Sequence, residues 1–163
     1  MKSQAKKSLI ALAIATGLSG QAFAASTVSE ISVVQSGQAQ DTLVSQTGGL
    51  NAAAVVQTGN DQTATVIQDG VWHEAAINST GADNKVQITQ QADWHVASAN
   101  VVGDSNNVNV SQDGFFNQSS NDVTGNNNTA IVSQLGEVNE SQVEITGAEN
   151  SVFVEQEGDA NFA

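Results

Sequence analysis

The chain of 163 residues contains no cysteine and no proline, and only 4% of it is aromatic. Without cysteine there is no disulfide framework, no thiolate-bound zinc and no cysteine nucleophile. Without proline, nothing deletes a backbone donor from a strand ladder. Basic residues are also scarce, four in all, and three of them (Lys2, Lys6 and Lys7) stand at the very start. Catalytic signatures are wanting: there is no Gly-x-Ser-x-Gly, no phosphate-binding loop, no His-Glu-x-x-His and no calcium-binding Gly-Gly-x-Gly-x-Asp nonapeptide. The carboxylates are numerous but scattered, and a charged outer face is usually just solvated. No catalytic, cofactor-binding or metal-ligating residue is assigned, and the chain is read as a non-enzyme that needs no cofactor.

What is present divides the chain in two. Lys2, Lys6 and Lys7, the apolar stretch Leu9 to Leu18 and the small-x-small site Ala22-Phe23-Ala24 read as a secretory signal, residues 1–24, that is cleaved. The apolar stretch is too short to span a bilayer, so no membrane insertion is expected after cleavage. The mature chain, residues 25–163, keeps Lys85 as its one base against 17 carboxylates, a net charge of 1 − 17 = −16. Such a surface repels nucleic acid and anionic lipid.

The mature chain is periodic. Steps of eleven residues land on Gln35, Gln46, Gln57, Gln68, Ser79, Gln90, Val101, Gln112, Val123, Gln134, Ile145 and Gln156. Two residues further on stands glycine every time except at Ala92. Five residues on stand Gln40, Asn51, Gln62, His73, Asn84, His95, Asn106, Asn117, Asn128, Asn139, Asn150 and Asn161. A fixed period of this kind signals a solenoid, and a disordered polar tract has no reason to keep it.

Two residues before the glutamine slot, ten of twelve residues are Val or Ile; four before it, all are small or aliphatic. That alternation, with glycine at a fixed offset, describes a strand of about six residues followed by a tight turn. None of the 17 carboxylates falls in the slots so assigned to the inside, as the cost of burying unpaired charge requires. The true repeat is 22, because Gln46, Gln68, Gln90, Gln112, Gln134 and Gln156 are invariant while the intervening half-repeats drift. The expected fold is therefore all-β: a solenoid of six 22-residue coils, twelve short strands in two parallel in-register sheets packed face to face. Coils about 4.8 Å apart would stack to roughly 29 Å.

Stacking puts like amides over one another. Gln46, Gln68, Gln90, Gln112, Gln134 and Gln156, with Asn51, Asn117, Asn139 and Asn161, are expected to form axial ladders in which each side chain donates to one neighbour and accepts from the other. Such ladders continue only while another coil follows. The first strand is expected near Ser29, the last repeat runs to Asn161, and no capping sequence is visible at either end. Open ends with an intact register predict head-to-tail polymerisation, while acidic outer slots discourage lateral sticking.

The unit Gln46-x-Gly48-x-x-Asn51-x-Ala53-x-x-x-Gln57 resembles the curlin repeat of curli fibre subunits, Ser-x5-Gln-x-Gly-x-x-Asn-x-Ala-x3-Gln, and the resemblance spans the whole mature chain. It implies a functional amyloid of a Gram-negative bacterium, cross-β on polymerisation. The subunit would be exported through the periplasm and a dedicated outer-membrane secretion apparatus, then polymerise at the cell surface with a second curlin-type subunit as biofilm matrix and adhesin. Glycine in both half-repeats resembles the minor, nucleating subunit; the acidity and regular last repeat resemble the major one, which is favoured. The departures are Gln40, Gln62, Asn84, Asn106, Asn128 and Asn150 for the leading Ser, Ala92 for a Gly, and His73 and His95 for two Asn.

Two features admit more than one reading. His73 and His95, 22 residues apart, could pair on zinc or copper, but a metal site normally needs more ligands, so they are read as substitutes in the amide ladder. Trp72, Trp94 and Phe116 form an aromatic column along one edge. It serves either as a strip for a surface polysaccharide, which would suit a monomeric secreted solenoid, or simply as side chains stacked along the axis.

Overall fold

The computed structural model describes residues 9–13, 19–25 and 29–163. Its strands in chain order are β1 (Leu9–Ala13), β2 (Ser19–Ala25), β3 (Glu30–Gln38), β4 (Asp41–Gly49), β5 (Ala52–Asn60), β6 (Thr63–Val71) and β7 (Glu74–Ala82). There follow β8 (Lys85–Asp93), β9 (Val96–Val102), β10 (Asn107–Phe115), β11 (Gln118–Asn126), β12 (Thr129–Glu137), β13 (Glu140–Ala148) and β14 (Ser151–Glu157). Odd-numbered strands make one seven-stranded sheet and even-numbered strands the other. Pairing is parallel throughout, at a spacing of 21 residues between β1 and β3 and in register at 22 everywhere else, so that Gln46 faces Gln68 and Gly48 faces Gly70. The twelve strands β3 to β14 make the six coils that the period predicts, and the fold is an all-β solenoid.

The two sheets meet through one column of branched side chains and one of small ones. Val44, Val55, Val66, Ile77, Ile88 and Val110 are fully enclosed, beside Ala53, Ala64, Ala75 and Ala97. Each enclosed Val or Ile contributes about 1.5–3 kcal/mol relative to exposure. No carboxylate is buried among the described residues.

The strands are longer than the six residues expected; most have nine. The ladder runs on through the glycine slot before the chain turns. Glycine is required there for two reasons. At Gly59, for example, φ is +124°, and an added Cβ would collide with the carbonyl oxygen of Gly81 in the next coil. The bend itself falls two residues later, where all twelve residues are non-glycine and left-handed, from Ala39 (φ 50°) to Ala160 (φ 57°).

The leader stretch, set apart by its sequence, also contributes pairing. β1 lies parallel against Glu30–Val34 of β3, and β2 against Asp41–Thr47 of β4. An uncovered sheet edge accepts any extended segment of suitable length. The basic start, Lys2, Lys6 and Lys7, lies outside the described residues.

Candidate functional site

The solenoid carries three axial arrays, two inside it and one along an exposed edge. The first is the glutamine column of the even sheet. Nε2 of Gln46 donates to Oε1 of Gln68 (2.7 Å), Gln68 to Gln90 (2.9 Å), Gln90 to Gln112 (3.0 Å), Gln112 to Gln134 (2.8 Å) and Gln134 to Gln156 (2.7 Å). The second amide hydrogen of each donates to a strand carbonyl of the facing sheet, as from Gln112 to Val96 O (3.1 Å). The column therefore ties one sheet to the other and has a direction, donating toward the C-terminal coil. Its first member, Gln46, keeps a buried Oε1 without a donor; its backbone partner in β2 is Ala24. Among the described residues the odd sheet has one such step, Gln35 to Gln57 (2.9 Å), because the column then passes to Ser79, Val101, Val123 and Ile145.

The asparagine slots make the expected amide-on-amide step in part, Asn161 Nδ2 donating to Asn139 Oδ1 (2.9 Å), Asn106 to Asn84 (3.1 Å) and Asn150 to Asn128 (3.1 Å), and they bind backbone as well. Oδ1 of Asn51, Asn117 and Asn139 accepts the backbone N–H of the residue one coil on: His73 (3.0 Å), Asn139 (2.9 Å) and Asn161 (3.0 Å). Nδ2 donates to the glycine-slot carbonyl, as from Asn51 to Gly70 O (3.1 Å) and Asn117 to Gly136 O (3.0 Å). These amides hold the turns, where backbone groups have no strand partner. Only a short side chain reaches both. At Gln40 and Gln62 the extra methylene carries Oε1 past the N–H, and both oxygens are buried without a partner.

His73 and His95 occupy the same column, with rings stacked 5.2 Å apart. Nδ1 of His73 accepts the His95 N–H (3.4 Å) and Nδ1 of His95 accepts the Asn117 N–H (3.2 Å). Nε2 donates to Asp69 O (3.3 Å) and to Gln91 O (2.7 Å) respectively. Both nitrogens of both rings are engaged by backbone, so no lone pair is left for a metal. No group of three or more metal-ligating side chains occurs among the described residues. Burial holds both imidazoles below their usual pKa, against the opposing pull of neighbouring carbonyls and aspartates.

The third array is the aromatic edge. Trp72 and Trp94 stack at 4.9 Å, 6° from parallel, and Trp94 and Phe116 at 5.5 Å and 20°. The ring planes thus face one another along the axis and show their edges to water; Leu50 and Val138 extend the column, all five being exposed. All five also adopt the left-handed conformation, which L residues with bulky side chains avoid.

One array was not anticipated from the sequence: an outer ladder at the turns. Asp93 Oδ1 accepts the Val71 N–H (3.0 Å), Asp104 Oδ1 the Ala82 N–H (2.8 Å) and Asn126 Oδ1 the Asp104 N–H (2.9 Å). The recurrence of Asn60, Asp104 and Asn126 in one 22-residue column was the available signal.

These features define a class: a parallel β-solenoid whose long axis is threaded by side-chain ladders, with an interior built for stacking. The curlin associated repeat matches it five times in tandem, at residues 37–70, 59–91, 81–114, 103–136 and 125–158, and the chain belongs to the curlin family. It is a curli-type structural protein, of a family whose members are secreted extracellular subunits rather than enzymes. No curated protein and no solved structure matches the chain.

Proposed function

We propose that the chain is the major structural subunit of an extracellular curli-type amyloid fibre, polymerising head to tail into biofilm matrix and surface adhesin. The observation that carries this is the direction of the glutamine column. Gln46 offers an unpartnered acceptor at one face, and Gln156 has, at the other, the amide hydrogen that each earlier glutamine gives to its successor. A second copy in the same 22-residue register joins the two, and brings Asn161 Oδ1 to the Asn51 N–H as Asn139 Oδ1 meets Asn161. Cleavage after Ala24 removes β1 and nearly all of β2, leaving β3 and β4 as the receiving edge. Export by way of the periplasm and an outer-membrane secretion apparatus, and growth on a nucleating second subunit, complete this proposal.

The competing idea, a monomeric solenoid binding polysaccharide along Trp72, Trp94 and Phe116, is less favoured by the ring geometry. Sugars pack on aromatic faces, and here the faces are turned to one another. Thioflavin fluorescence and sedimentation of residues 25–163, with and without fragments of its own fibres, test the proposal. Growth after a lag that seeds abolish is expected; growth without a lag would indicate the nucleating subunit. A soluble β-rich monomer that ignores seeds would overturn the fibre. Gln46→Ala and Asn161→Ala should each slow growth.

A further inference from the structure

We propose that the stacked pair His73 and His95 is an acid gate on folding: the coils that contain them close only when both imidazoles are neutral, so mild acidity holds the chain unfolded. The argument rests on which hydrogen sits where. Backbone carbonyls of Asp69 and Gln91 face the two Nε2 atoms, so each Nε2 must carry a proton. Backbone N–H groups of His95 and Asn117 face the two Nδ1 atoms, so each Nδ1 must be bare. One neutral tautomer meets both demands, and it does the work of the asparagine amide in the coils on either side: Nδ1 for Oδ1, Nε2–H for Nδ2–H.

The amide cannot titrate; the imidazole can. A second proton must go to Nδ1, where it would point at a backbone donor, break the bond that fixes the next turn, and leave that N–H buried without an acceptor. Protonating both rings would also set two cations 5.2 Å apart, face to face. The charged groups around the pair are Asp69, Asp93 and Asp113, toward the ends of β6, β8 and β10, with Glu74 next in sequence to His73. These aspartates favour the cation, but they stand at the outer rim while both rings are fully enclosed, and loss of hydration outweighs them. The only other base among residues 29–163, Lys85, begins β8, and His95 lies beyond that strand's other end.

The sign follows from linkage. An unfolded histidine titrates near 6.5, and the folded rings titrate lower, so the contribution of the neutral rings is complete above that pH and is lost as pH falls toward the folded value. At about pH 5 some 97% of unfolded imidazoles are protonated, which lowers the folded-to-unfolded ratio by up to about 30-fold per ring and about 1,000-fold for the pair.

The gate concerns coil closure and stands whether or not the chain polymerises. The full chain and its H73N/H95N variant are diluted from denaturant into buffers between about pH 5 and pH 8, and β-structure is followed by circular dichroism. The variant places in each slot the residue found at Asn51 and Asn117, so it retains the turn bonds. Between about pH 7.5 and pH 5, the folded-to-unfolded ratio of the parent chain should drop at least ten-fold more than that of the variant. Equal drops would assign the effect to the carboxylates and overturn the gate. Nitrogen NMR of the imidazoles needs no variant: in the folded chain at about pH 5.5 both rings should remain neutral with the proton on Nε2, and a charged ring in the folded chain would equally overturn it.

Discussion

Replacing Gln112 with Ala should be among the most damaging single changes in the molecule. The side chain is fully buried in the fourth rung of the glutamine column and makes three hydrogen bonds: from Gln90 (3.0 Å), to Gln134 (2.8 Å) and to Val96 O (3.1 Å). Truncation removes all three and strands an N–H of Gln90 and the Oε1 of Gln134 in a space that water does not reach, while the Val96 carbonyl, paired in the strand ladder, loses its link to the facing sheet. Leaving a buried neutral group unpaired costs about 1–3 kcal/mol, and neighbouring losses add incompletely, so a total of roughly 3–6 kcal/mol is expected. Gln156→Ala is the internal control. It disturbs two bonds, from Gln134 and to Glu140 O, at a rung with solvent beyond it, and should cost about 1–2 kcal/mol in the dissociated chain. Urea unfolding followed by circular dichroism, at concentrations where nothing sediments, measures both. In fibres, where the column continues, Gln156→Ala should raise the critical concentration as steeply as Gln112→Ala. A loss below about 1 kcal/mol for Gln112→Ala, or equal losses at the two positions in the dissociated chain, would refute the view that the ladder holds the sheets together.

Three further substitutions should stabilise. Asn121 sits in the branched slot between Ala99 and Val143 with its Oδ1 buried and unpartnered, so Asn121→Val should raise stability by about 1–2 kcal/mol despite the loss of its bonds to Ser98 O and Ser119, read as a higher urea midpoint. Gln62→Asn should bring the side-chain oxygen back to the Asn84 N–H, gaining about 1–2 kcal/mol in the same assay; no gain would mean that the longer side chain is tolerated by relaxation of the turn. Ala92 holds φ 74° in the slot that is glycine in every other half-repeat, and Ala92→Gly should gain about 1 kcal/mol, seen as a rise in melting temperature.

The strain at the aromatic edge is uneven between the two kinds of turn. One series places Ala39, Asp61, Asp83, Ser105, Asn127 and Glu149 at the left-handed position, mostly polar residues; the other places Leu50, Trp72, Trp94, Phe116, Val138 and Ala160 there. Val138, β-branched and exposed, is the least suited of all. Axial contact with the next ring offsets the strain for the tryptophans and Phe116, which is why the column reads as part of the stack and not as a free surface.

The period of 22, the inward and outward slots, the exclusion of carboxylates from the interior and the parallel register were all legible in the sequence. Each follows from a local rule applied to every repeat: side chains alternate across a strand, buried charge is prohibitive, and identical residues at equal spacing must stack. The sequence alone thereby determined the solenoid and the membership of the glutamine column. Only the tertiary structure decided how the axial neighbours meet. It set the direction of the glutamine ladder and joined the asparagines to backbone as well as, at Asn84–Asn106, Asn128–Asn150 and Asn139–Asn161, to one another. It also left Gln40, Gln62 and Asn121 short of partners, fixed the histidine tautomer, and closed the aromatic faces against each other. The slot glycines from Gly37 to Gly136, read from sequence as turn residues, also leave the space of a Cβ to a carbonyl of the next coil. All of these depend on distances of a few tenths of an ångström between atoms 22 residues apart, which a pattern of residue types orders but does not measure.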